Sequence, residues 1–158
     1  MDLPISPHDT RVFVETLDRI FLQLHHCWLD FLAKVSPNLL YQEGSNNLEW
    51  SSPGEYLLRS VATVEQTCGG LMSNLWDDPF EWTLAETLST TDLIREYLLE
   101  VEDTRSKAFA RFKSDQDLIK KISVPSGDLK PVAAVLLDAI VRAAEYYGCA
   151  KARLFVIT

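Results

Sequence analysis

Paired cysteines are missing from this chain. Cys27, Cys68 and Cys149 are odd in number, widely separated and form no CxxC pair. That excludes a disulfide scaffold and a cysteine-based zinc knuckle, and it points to free thiols in a reducing cytoplasm. Histidine is equally scarce, with three in 158 residues. Basic charge is in deficit: 15 Lys and Arg face 23 Asp and Glu, a net charge of −8. Nucleic-acid affinity comes mainly from cations that displace counterions, so DNA or RNA is a poor partner for such a surface. No stretch reaches the roughly 18 uncharged apolar residues of a membrane span. The opening segment, Met1 to Thr10, lacks the basic start and apolar run of a signal peptide. Alternating apolar and polar runs, the mark of half-buried strands, are not evident, and there is no internal repeat or low-complexity tract.

What remains is a chain that is 47% hydrophobic, long enough to form one domain over residues 1–158 without staples. Its apolar residues recur at helical spacing. The first helix is expected from about Pro7, behind a possible cap at Ser6, to Val35. Its stripe is Phe13, Leu17, Ile20, Leu24, Cys27 and Phe31, widened by Val14, Phe21, Trp28 and Leu32, and Ser36-Pro37-Asn38 stops it. The second helix starts at Ser52-Pro53-Gly54-Glu55, which has the spacing of a capping box. Leu57, Val61, Val64, Cys68 and Leu71 face inward, and Gly69-Gly70 weakens its end.

A long connection, Asn74 to Thr90, carries Trp76-Asp77-Asp78-Pro79-Phe80-Glu81-Trp82. Its aromatics suit a lid, a dimer interface, or packing over the end of the helices. The third helix begins near Thr90 with Ile94, Tyr97, Leu98, Val101, Ala108, Phe109 and Phe112 inward. Ser114 to Ile122 either extends it or forms a short turn. The fourth enters through Pro131 and runs to about Phe155, burying Val135, Leu136, Ala139, Ile140, Ala143, Tyr147, Ala150 and Leu154. Four amphipathic helices of this length predict an all-α, four-helix-bundle fold.

Two segments carry a resemblance. Residues 55–65, Glu-Tyr-Leu-Leu-Arg-Ser-Val-Ala-Thr-Val-Glu, and residues 139–149, Ala-Ile-Val-Arg-Ala-Ala-Glu-Tyr-Tyr-Gly-Cys, resemble the second- and fourth-helix motifs of the DinB-like (DinB/YfiT-like) family. The resemblance implies a four-helix bundle over almost the whole chain and a helix-mediated homodimer. In the family, one histidine on the second helix and two on the fourth, four residues apart, hold a divalent metal. The matching positions here are Ser60, Arg142 and Tyr146. A guanidinium stays protonated and does not ligate, and Ser and Tyr alone are poor ligands for nickel or zinc. Cys149 also stands where the motif has Gln.

The expectation is therefore a degenerate, metal-free and cofactor-free member: cytoplasmic, bacterial, homodimeric and leaning to a non-catalytic role. Ser60, Arg142 and Tyr146 are the candidate ligand-binding residues, with Arg142 offering its fork of donors to a small anionic ligand. The bland alternative pairs Arg142 internally with Asp138 or Glu145. The enzymatic alternative is a metal-independent relative of the family's thiol-dependent transferases and isomerases, with Tyr146 as acid. His25, His26 and Cys27 are adjacent and cannot readily converge on one ion, so both histidines are read as edge residues of a packed face. His8 is read as a solvated first-turn residue, and each cysteine as a buried small hydrophobe.

Overall fold

The computed structural model describes residues 10–43, 51–79 and 85–157. Among them the chain is mostly helical. In order come α1 (Val12–Lys34), α2 (Pro37–Leu40), α3 (Pro53–Ser73), α4 (Thr91–Ala110), a 3-10 turn (Asp115–Ile119), β1 (Lys121–Ser123), β2 (Leu129–Pro131) and α5 (Val132–Ile157).

Local chemistry sets most of these boundaries. Ser52 accepts from the Glu55 N–H while the Glu55 carboxylate accepts from the Ser52 N–H, closing the expected capping box of α3. Thr90 caps α4 by accepting from the Leu93 N–H. The expected cap at Ser6 lies outside the described residues. Instead, the Asp115 carboxylate accepts from the N–H groups of Phe13 and Val14 at 3.0 and 2.9 Å, so α1 is capped from the far side of the sequence. Helix α3 ends at Asn74, whose φ of 54° is the left-handed stop that Asn tolerates.

The short hairpin β1–β2 was not expected. Lys121 pairs with Pro131 and Ser123 with Leu129 in antiparallel register, and the turn between them uses Gly127 at a φ of +86°. Strands of three residues are too short to show alternation, and Ser114 to Ile122, expected to extend the third helix or form a short turn, instead supplies the 3-10 turn and enters β1.

The four long helices pack through a cyclic set of neighbours. Helix α3 lies against α4 and α5, and α1 lies against the same two from the other side. Two hydrogen bonds fix the direction of α3 and α4. Near their starts the Tyr41 hydroxyl donates to the Leu88 carbonyl, and near their ends the Arg111 guanidinium donates to the Met72 carbonyl. These two helices therefore run parallel.

The core holds Phe21, Trp28, Leu57, Leu58, Val61, Ile94, Leu98, Leu136, Ala139 and Ala143. Truncating one such leucine to alanine costs about 2–5 kcal/mol. The first helix is rotated from the expected stripe: Phe13 is 68% exposed and Ile20 is also exposed, while His25 is buried in their place. A polar layer crosses this core. The buried Arg105 guanidinium grips both carboxylate oxygens of Glu102 at 2.9 and 2.6 Å and also donates to Asp18 of α1. On α3, Glu65 accepts from the Tyr97 hydroxyl, and burial raises its carboxyl above the ordinary range.

Candidate functional site

Arg142 stands at a cleft of about 330 Å³ formed where α3, α5, the hairpin and the segment after α3 meet. Val135, Asp138 and Arg142 reach it from α5, at the spacing that places side chains on one helical face. Gln66 supplies the α3 wall and Trp76 the next. Pro125, Ser126 and Lys130 come from the hairpin.

Trp76 is held there by two devices. The Gln66 side-chain amide donates to its backbone carbonyl at 2.8 Å. Its indole lies so close over Gly70 that a Cβ on that glycine would sit 2.3 Å from the ring. Gly70, read from sequence as a weak point of the helix, is the seat of an aromatic wall. Of the roles open to this connection, Trp76 shows packing back onto α3, where it forms one wall of the cleft. Phe80, Glu81 and Trp82 lie outside the described residues.

The charges of the cleft differ from the bland expectation. Asp138 does not pair with Arg142. Its carboxylate is 3.6 Å from the ammonium of Lys130, a cation that the hairpin brings to α5 from a segment without helical period. Glu145 forms no ion pair with Arg142 either. Among the described residues the Arg142 guanidinium is in no ion pair and no side-chain hydrogen bond, and it is exposed.

Ser60 is a different case. It is fully buried, accepts from the Trp28 indole N–H at 2.9 Å and donates to the Ala143 carbonyl at 2.6 Å. Its hydroxyl ties α1, α3 and α5 together and is closed to a ligand, which corrects its candidacy. Tyr146 is half-buried and does not line the Arg142 cleft. Positions 60, 142 and 146 do gather around one turn of α5, since Ser60 bonds to Ala143, the neighbour of Arg142. They do not share an opening.

No group of three or more His, Cys, Asp or Glu among the described residues is placed to hold a metal ion. His26 is exposed, whereas His25 is buried deeper than an edge position, its Nδ1 without a hydrogen-bond partner among the described residues. Burial lowers the His25 pKa below its ordinary value, with Glu102 opposing that shift and His26 and Arg105 adding to it. Of the cysteines only Cys68 is a fully buried hydrophobe, its thiol pushed up to about 12 by burial. Cys27 is half-buried and Cys149 is exposed, which corrects the uniform reading. No helix among the described residues is long and apolar enough to cross a membrane.

Compared with protein-family models, with curated proteins and with solved structures, the chain matches none.

Proposed function

We propose that the chain is a DinB-like four-helix bundle without metal chemistry, which binds a small anionic ligand in the Arg142 cleft. The observation that carries this reading is the state of Arg142. Its helix neighbours leave the guanidinium unpaired at the mouth of a cleft whose size falls in the range of ligand sites. Its planar fork suits a carboxylate or phosphate, and Lys130 adds a second cation that Asp138 only half answers. Support for the bundle comes from the four long helices and their cyclic packing. Support for a metal-free role comes from Ser60, Arg142 and Tyr146, none of which is a strong ligand.

The test is a titration with inorganic phosphate, acetate and malonate, followed by amide chemical shifts. Saturable shifts at Gln66, Trp76 and Arg142 that vanish in Arg142→Ala support the reading. Shifts that are linear in anion concentration, or unchanged in that variant, overturn it.

A homodimer belongs to the same reading. An apolar groove of about 720 Å³ lies between α1, α5 and the 3-10 turn. The exposed Phe13, Ile119 and Leu137 surround it. Protruding side chains and a recess on one face are what an isologous pairing with a second copy requires. Light scattering should give twice the chain mass, falling to one chain mass in Phe13→Glu/Leu137→Glu. A monomeric parent protein sinks the dimer.

A further inference from the structure

A second cavity, of about 380 Å³, opens between the C-terminal halves of α1 and α5. It shares no lining residue with the Arg142 cleft. Its walls are apolar. Phe31 and Tyr147 meet edge to face at 6.3 Å, and Leu154 and Phe155 continue the wall toward solvent. Phe155 is 83% exposed, an unusual place for so large an apolar ring.

At the same opening stand two ammonium groups, Lys34 from α1 and Lys151 from α5. Neither is in an ion pair among the described residues. The Lys151 Nζ lies 4.7 Å over the Tyr147 ring, a cation–π contact that holds the charge against the aromatic wall. Among the described residues Asp30 is the one acid lining the cavity, so their local balance is positive in a chain whose net charge is −8. An aromatic wall beside an excess of cations matches a molecule that is apolar and flat at one end and negative at the other.

We propose that this cavity binds a small aromatic monocarboxylate, with its ring against Phe31 and Tyr147 and its carboxylate toward Lys34 and Lys151. The Tyr147 phenol, raised above its ordinary value by burial and then by Cys27 and Asp30, stays protonated and can donate a hydrogen bond. Cys27 lines the same cavity and is half-buried, so its thiol reports occupancy directly.

The experiment uses the full chain carrying Cys149→Ser, which removes the exposed thiol outside the cavity. Alkylation of Cys27 by iodoacetamide is followed by mass spectrometry with 1-naphthoate or with its neutral isostere, 1-naphthamide. The acid should slow alkylation at least about fivefold, a difference equivalent to roughly 1 kcal/mol of binding, and the amide much less. The acid's advantage should disappear in Lys34→Ala/Lys151→Ala and persist in Arg142→Ala. No protection at millimolar acid, or equal protection by acid and amide, overturns the proposal. The comparison of acid with amide decides even if the double variant folds poorly. Because Arg142→Ala abolishes only the site proposed above, failure of either site is distinguishable from failure of the other.

Discussion

Asp115 and Val14 are joined by a 2.9 Å hydrogen bond across 101 positions of sequence, the carboxylate of one accepting from the backbone N–H of the other. Phe13 donates to the same oxygen. One side chain thus satisfies two of the donors that every helix leaves open at its start. Asp115→Ala should lower stability by about 1 kcal/mol, the ordinary worth of an N-cap, measured as a shift in urea midpoint at unchanged slope. A shift within error would mean that α1 is capped by another group.

Gly70 offers a test in which two effects have opposite signs. In an open helix Gly→Ala stabilises by about 1 kcal/mol. Here the added methyl meets the Trp76 ring at 2.3 Å, and such overpacking costs about 1–3 kcal/mol. Gly70→Ala should therefore destabilise the natural protein and stabilise a Trp76→Ala variant. If the sign does not change between the two backgrounds, Trp76 does not sit on Gly70.

The three thiols should separate by rate. At pH 8, Cys149 should react first with an aromatic disulfide reagent and Cys27 more slowly. Cys68, with its thiol at about 12, should react only in denaturant. A count of three fast thiols in the native protein would contradict the packing of α3.

His25 makes stability depend on pH with a definite sign. Its folded-state pKa is lowered by burial, so the unfolded chain takes up a proton first as pH falls through about 6.5. Stability is then lost on acidification, by at most about 1.4 kcal/mol per pH unit for one such group. Glu65 acts oppositely. Its raised carboxyl contributes most below the unfolded carboxyl value, and that contribution fades as pH rises. Unfolding at pH 7.5 and 5.5 should show a loss in the natural protein that shrinks in His25→Leu. An equal loss in both would assign the acid sensitivity elsewhere.

The helices were legible because their signals are local. Ser52 with Glu55, and Thr90 with Leu93, are close enough in sequence to be read as caps, and the stripes of α3, α4 and α5 lie where periodicity puts them. The rotation of α1 was not legible. Both Phe13 and Val14 fit an apolar stripe, and only packing against α4 and α5 decides between them. The Arg142 cleft was half legible. Arg142 stands out as a cation where the resemblance has a metal ligand, but Lys130 and Trp76 reach the cleft from segments that carry no helical period. Ser60 misled because its residue type permits a ligand, while its two bonds to Trp28 and Ala143 are visible only in three dimensions.

The parallel course of α3 and α4 also bears on how the chain acquires its structure. Consecutive helices that run antiparallel can associate as soon as the short turn between them closes. Parallel neighbours such as α3 and α4 cannot, and their partners, α1 and α5, come from opposite ends of the chain. The ordering cost of such distant contacts is met before packing rewards it. Among mostly helical domains of its size this one should refold slowly, with assembly waiting on contacts between distant helices rather than on the helices themselves.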